Sequence, residues 1–187
     1  FKDNIRLCLK NKMVFSIKGK KILVVGGAGK IGKSITEEIH LSGGIPIVAD
    51  ANQQGINTIS QKISSKNLYS FKCEIKNVQS IKECLKKANS FKGEIDSVVY
   101  ASYPKSRGWG SKFEELNEES LKENIFMQLG LPILFSRYCL DYFASKGSGQ
   151  LIHLSSIQGI RAPKFNHYEN TDMTSPIEYS AIKSGII

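Results

Sequence analysis

Short apolar runs alternate with segments whose apolar residues recur at helical spacing. Lys20–Val25 is an apolar run closed by glycines, the pattern of a strand buried on both faces of a parallel sheet. Ile31, Ile35 and Ile39 then fall on one helix face. Ile45–Ala49 reads as a second strand ending at Asp50, Gln53–Ser64 as a weaker helix, and Leu68–Cys73 as a third strand. Ile81, Cys84, Leu85 and Ala88 make another helical stripe, and Ile95–Ala101 a fourth strand. Leu116–Phe143 is mostly helical and apolar, with Pro132 expected to break or kink it. Gln150–Ser155 is a fifth strand, followed by a long loop and a helix carrying Tyr179 and Lys183. The alternation predicts an α/β fold: a doubly wound parallel sheet with right-handed crossovers, of Rossmann type.

Length adds one domain to this picture. A chain of 187 residues can bury a full core. The domain is expected over residues 20–187, with 1–19 an N-terminal extension. Position 1 is Phe, Met13 is a candidate start, and the chain stops at Ile187 inside an expected helix, so the fold is expected to be incomplete at its C-terminus. The net charge of +9 comes from lysines spread along the chain, with no basic run interleaved with aromatics. That argues against nucleic acid and is compatible with anionic substrates. Cys8, Cys73, Cys84 and Cys139 form no CxxC pair and no metal-ligand spacing. No stretch has the length and apolarity of a membrane span or a secretory signal. A cytoplasmic protein with free thiols is expected.

Two motifs carry chemistry. The first is Gly26-Gly27-Ala28-Gly29-Lys30-Ile31-Gly32, directly after the first strand. Gly26 permits the turn, a small loop residue lets backbone approach a pyrophosphate, and Gly32 lets the helix pack closely. Asp50 lies 18 residues beyond Gly32, where a carboxylate can accept hydrogen bonds from an adenosine ribose. Its charge would repel a 2′-phosphate, so NAD is favoured over NADP, with Lys30 as the residue that could reach a phosphate instead.

The second is Tyr179-Ser180-Ala181-Ile182-Lys183, with Leu154-Ser155-Ser156 upstream. Tyr179 and Lys183 share a helix face. An ammonium there stabilises phenolate and draws the tyrosine pKa towards a useful range. A serine at the end of a neighbouring strand can hold a carbonyl or alcohol oxygen.

In these residues the chain resembles the short-chain dehydrogenase/reductase family from about Lys20 to Ile187. The resemblance implies NAD(P)-dependent hydride transfer on a Rossmann-type fold. It puts the catalytic tyrosine and lysine at Tyr179 and Lys183, and the serine at Ser156, with Ser155 the neighbouring alternative. It puts cofactor contacts at Gly26, Gly29, Lys30, Ile31, Gly32, Asp50, Glu74, Ala101, Tyr179 and Lys183. The helix asparagine that carries protons to solvent is assigned to Asn124, while counting back from Gly130–Ser136 points to Gln128. The chain departs from the family pattern at Val25, at Lys30, at Val99-Tyr100-Ala101-Ser102 and at Glu74. The 23-residue spacing from Ser156 to Tyr179 is long, and Arg161–Pro176 is expected to be a substrate-side loop. Ala101-Ser102-Tyr103-Pro104, Ala162-Pro163-Lys164-Phe165 and Met173–Tyr179 resemble a subgroup of flagellin-modification enzymes associated with bacterial nonulosonic-acid and amino-sugar pathways.

The function expected is an NAD(H)-dependent oxidoreductase, a homo-oligomer, acting on a hydroxyl or carbonyl of a sugar or nucleotide sugar. The alternatives are an oxoacyl or small-ketone reductase of the same family and a non-catalytic dinucleotide-binding regulator.

Overall fold

The computed structural model describes residues 16–63, 67–91, 93–171 and 173–187. Five parallel strands, β1 (Lys21–Val25), β2 (Ile45–Asp50), β3 (Tyr69–Lys72), β4 (Ser97–Tyr100) and β5 (Gln150–His153), form one sheet in the order β3-β2-β1-β4-β5. The intervening helices are α1 (Lys30–Leu41), α2 (Gln53–Lys62), α3 (Val78–Asn89), α4 (Glu118–Ile125), α5 (Leu131–Lys146) and α6 (Ile177–Ile186). This is the doubly wound arrangement expected from the alternating pattern. Chain order reverses between β1 and β4, and the crevice at such a reversal is where sheets of this kind bind ligands.

The core explains why the strand sequences are uniformly apolar. On one face Leu23, Ile47 and Val98 pack with Ile81, Cys84 and Ala88 of α3 and Phe135 and Cys139 of α5, all fully buried. On the other, Ile22, Val24 and Val99 meet Ile39 of α1, and Val48 meets Ile56 and Ile59 of α2. Leu23 sits opposite Ile47 on one side and Val98 on the other. Leu23→Ala would cost about 2–5 kcal/mol in transfer and cavity terms. Asn77 starts α3 with a capping box, accepting from Ser80 N–H at 2.9 Å while Ser80 Oγ accepts from Asn77 N–H at 3.1 Å.

Several expected boundaries shift. Residues 1–15, with Cys8 and Met13, and Ser64 lie outside the described residues. Ile17 packs on the Ile22–Val24–Ile39 cluster and Gly19 N–H donates to Gly43 O at 2.8 Å, so the packed domain begins ahead of Lys20. The fifth strand stops at His153, leaving Ser155 and Ser156 in the loop beyond it. Pro132 breaks nothing: it sits in the first turn of α5, where a missing N–H costs no bond. The irregularity lies just upstream, in a π-helical turn over Phe126–Gly130 that joins α4 to α5, where Leu131 N–H reaches back to Phe126 O.

Candidate active site

A cavity of about 970 Å³ opens at the C-terminal ends of the strands, between the glycine loop, the loop after β4 and α6. Its floor is the turn from β1 into α1. Gly26 has φ +79°, and a Cβ on it would lie 2.7 Å from Ser102 backbone, so glycine is required on both counts. A Cβ on Gly32 would come within 2.1 Å of Gly26 O, which lets α1 seat directly on the turn. Among the described residues no side chain caps α1, so its first-turn N–H groups have no side-chain partner.

Asp50 ends β2 beside this loop. Its Oδ2 accepts from Ala28 N–H and its Oδ1 from Asn52 N–H, both at 2.8 Å. The carboxylate therefore latches the glycine loop as well as facing the cavity. Asn52 also lines the cavity and caps α2 by accepting from Gly55 N–H at 3.0 Å.

At the opposite wall, α6 presents Tyr179 and Lys183. Lys183 Nζ donates to Leu154 O at 2.7 Å and lies 5.7 Å from the centre of the Tyr179 ring. Burial lowers the Lys183 pKa, because desolvation penalises the ammonium. Tyr103 and Trp109, from the loop after β4, stand edge-on to Tyr179 with ring centres 6.1 and 6.2 Å away. Lys105 Nζ lies 5.2 Å from the Tyr103 ring and borders the cavity. Burial, with Tyr179 and Glu178 nearby, pushes the Tyr103 phenol well above its ordinary pKa. A glycine-lined turn at the start of α1 thus shares one cavity with a tyrosine–lysine pair.

Residues 20–171 match the short chain dehydrogenase family. The chain belongs to that family. It is 36% identical over 174 residues to post-translational flagellin modification protein A of Campylobacter coli, covering 91% of this chain and 68% of that one. It is 25% identical over 173 residues to the 7alpha-hydroxysteroid dehydrogenase of Bacteroides fragilis, covering 90% of this chain and 62% of that one. A short chain dehydrogenase of Leptospira borgpetersenii solved with bound NAD+ superposes with a TM-score of 0.75 at 22% identity, covering 94% of this chain and 66% of that one. Actinorhodin polyketide ketoreductase with NADPH superposes at a TM-score of 0.76 and 18% identity, covering 90% and 61% respectively. The chain thus spans about two thirds or less of the length of these relatives.

Measured against the short chain dehydrogenase pattern, every residue expected on the cofactor side lines the cavity, from Gly26 to Lys183. Glu74 is there too, ion-paired with Lys76 at 2.9 Å. The serine pair divides. Ser155 borders the cavity and donates to Lys183 O at 2.7 Å. Ser156 accepts from Gln158 N–H at 3.2 Å, starting a short 3-10 turn, and does not border the cavity.

Two expectations need correction. Asn124 is fully buried and does not face the cavity: its amide is consumed by Ser106, Ser120 and Glu178. Gln128, in the π-helical turn, lines the cavity instead, and its buried Nε2 and Oε1 have no hydrogen-bond partner among the described residues. The extra residue in that turn rotates successive side chains, so positions four apart no longer share a face. The second correction concerns Arg161–Pro176. None of its described residues borders the cavity; Ser175 donates to Gln158 Oε1 at 2.7 Å, and Tyr168 packs on Gln158 as well.

Sequence reasoning missed Tyr103 and Lys105 as site residues, although Tyr103-Pro104 carried the subgroup resemblance. It also missed His153. Ser136 O–H donates to Pro132 O at 2.8 Å, so its oxygen accepts from His153 Nε2–H, also at 2.8 Å. Burial and the Lys183 charge lower the His153 pKa.

Proposed function

We propose that the protein is an NAD(H)-dependent oxidoreductase acting on a hydroxyl or carbonyl of a sugar or nucleotide sugar. The observation that carries this reading is the placement of Tyr179 and Lys183 in the same cavity as the glycine loop. The residues fit a dinucleotide: a turn that excludes a Cβ, an uncapped helix N-terminus and an orphaned buried amide at Gln128. Gly26, Gly29 and Gly32 would hold the pyrophosphate and Asp50 the adenosine ribose, with Lys183 at the nicotinamide ribose. A nicotinamide bound there supplies or accepts the hydride.

The chain's own groups handle the proton. In the oxidation direction Tyr179, as phenolate, takes the hydroxyl proton, and the Lys183 ammonium stabilises that phenolate. The main-chain carbonyl of Leu154 fixes the ammonium. The family resemblance assigns the reacting oxygen to Ser156, with Ser155 the neighbouring alternative; of the two, Ser155 is the one that borders the cavity. Gln128 takes the place of the helix amide that relays protons to solvent.

The Asp50 carboxylate supports NAD over NADP. Likeness to a flagellin modification protein supports a sugar substrate, as do the Tyr103 and Trp109 rings beside Tyr179, which suit the apolar face of a pyranose. Cavity-lining Lys105 suits an anionic group on it. Among the described residues no helix is long and apolar enough to cross a membrane. We place the protein in the cytoplasm as a homo-oligomer. The test is turnover by the full-length protein with a panel of nucleotide sugars and NAD+, read by NADH absorbance and product analysis. Turnover of simple ketones alone, or none with any carbonyl or alcohol, would defeat the reading.

A further inference from the structure

Asn124 of α4 and Glu178 of α6 meet in the interior directly behind Tyr179, 54 residues apart in sequence. Asn124 Nδ2 donates to Glu178 Oε1 at 3.3 Å and to Ser120 Oγ at 3.2 Å. Asn124 Oδ1 accepts from Ser106 N–H at 3.0 Å, and the Ser106 and Ser120 hydroxyls lie 2.6 Å apart. Asn124 is 0% exposed, Glu178 3% and Ser120 6%. A carboxylate so deep is costly unless its partners are fixed. Asn124 spends both amide protons and its carbonyl here, leaving it nothing for the cavity.

The network joins three elements. Ser106 belongs to the loop after β4, Ser120 and Asn124 to α4, and Glu178 to the helix that carries Tyr179. The same loop bears Tyr103 and Trp109. It is laid closely on α4: a Cβ on Gly108 would stand 2.7 Å from Ser120 Oγ and 2.9 Å from Ser120 Cβ.

We propose that Asn124 and Glu178 are positioning residues that clamp the loop after β4 to the catalytic helix, holding Tyr103 and Trp109 as a fixed aromatic wall against Tyr179. The wall then decides which ring can approach the reacting phenol, so specificity is set by a buried polar network that touches no substrate. This rests on the reading of Tyr179 as proton carrier, but the clamp can be tested without turnover.

Trp109 is the one tryptophan of these 187 residues, and subtracting the signal of a Trp109→Phe control isolates the emission of this loop. In the full-length protein, Asn124→Ala and Glu178→Ala should raise acrylamide quenching of Trp109 about twofold as the loop opens locally. NADH, used as the probe of the cofactor site, should bind within about threefold of wild type. Glu178→Gln keeps an acceptor carbonyl for Asn124 and should restore wild-type quenching, which a role in bulk stability or charge would not predict. Should the alanine variants fail to unfold cooperatively, Gly108→Ala decides, because it pushes the loop off Ser120 without stranding the carboxylate. Wild-type quenching in Gly108→Ala, or in folded Asn124→Ala and Glu178→Ala, would overturn the clamp, as would Glu178→Gln behaving like Glu178→Ala. A Tyr179→Phe protein that still turns over would overturn the proposed chemistry and leave the clamp standing.

Discussion

Lys183 Nζ is bonded to the main-chain carbonyl of Leu154, the residue that leads into Ser155 and Ser156. The bond ties the end of β5 to the middle of α6, so the ammonium beside Tyr179 is placed by backbone and not by a flexible surface partner. Preorganised charge of this kind is what a proton-transfer site needs. Tyr179→Phe keeps the ring and its edge contacts with Tyr103 and Trp109 while removing the proton. It should lower turnover by about a hundredfold or more and leave cofactor affinity nearly unchanged. Lys183→Ala should harm both. Because burial lowers the Lys183 pKa, the ammonium is lost at a lower pH than in a free lysine. The alkaline limb of the pH–rate profile should therefore fall below the ordinary lysine range. A Tyr179→Phe enzyme with near-normal turnover would remove this mechanism.

The Asp50 carboxylate latches the glycine loop and, in the function proposed above, also sets the cofactor preference, and one substitution can confuse the two. Asp50→Ala would release both Ala28 N–H and Asn52 N–H and so loosen the glycine loop. Asp50→Asn keeps a carbonyl for one of these donors and removes the charge that repels a 2′-phosphate. We expect wild type to bind NADH more tightly than NADPH. Asp50→Asn should narrow the ratio by about tenfold, the scale of one removed charge contact. Fluorescence titration of both cofactors measures it. Tighter NADPH binding by wild type would assign the choice to Lys30 or another cation.

Much of this was legible from spacing alone. Five apolar runs and their intervening stripes report burial on both faces of a parallel sheet, and the glycines at 26 and 32 report close backbone approach. Tyr179 and Lys183 were legible because four residues is one turn of a regular helix. The same arithmetic failed for Asn124 and Gln128. A π-helical turn between them adds a residue per turn, and no local residue pattern announces it; Pro132 drew attention to the wrong side of the junction. The segment Arg161–Pro176 is expected on the substrate side, but Tyr168 and Ser175 bond to Gln158 and none of its described residues borders the cavity. Which way a loop folds over a sheet depends on long-range contacts such as Ser106 with Asn124, 18 residues apart, and periodicity carries no trace of them.

Gln128 offers a trade between stability and activity. Its amide is buried, lines the cavity and bonds to no group among the described residues. An unsatisfied buried amide costs about 1–3 kcal/mol, so Gln128→Met, which keeps the shape, should stabilise the protein. A gain of about 1 kcal/mol corresponds to a rise of about 2–4 °C in a domain of this size. Turnover should fall by about tenfold to a hundredfold if the amide relays the proton. Asn124→Leu should do the reverse to stability, because it strands Glu178 and Ser106. Thermal unfolding and steady-state rates on the two variants separate the roles. Loss of stability in Gln128→Met would mean that the amide is structurally satisfied.

The last prediction concerns His153 and acid. His153 lies beneath the site, with Nε2–H donated to Ser136 and its ring 5.5 Å from that of Tyr100. Burial is the larger cause of its lowered pKa and the Lys183 charge the smaller. The sign follows from linkage: the unfolded chain takes up this proton near the ordinary value of 6.5, whereas the folded protein resists it to a lower pH. The contribution of His153 to stability is therefore complete above that ordinary value. It declines as pH falls below it and stops changing once pH is under the folded-state pKa. Thermal unfolding should show the midpoint dropping between pH 7 and pH 5. His153→Gln, whose amide can still donate to Ser136 but does not titrate, should lose part of that drop. Equal drops in the two proteins would show that other groups, such as the carboxylates, govern acid sensitivity and that His153 titrates as an ordinary histidine.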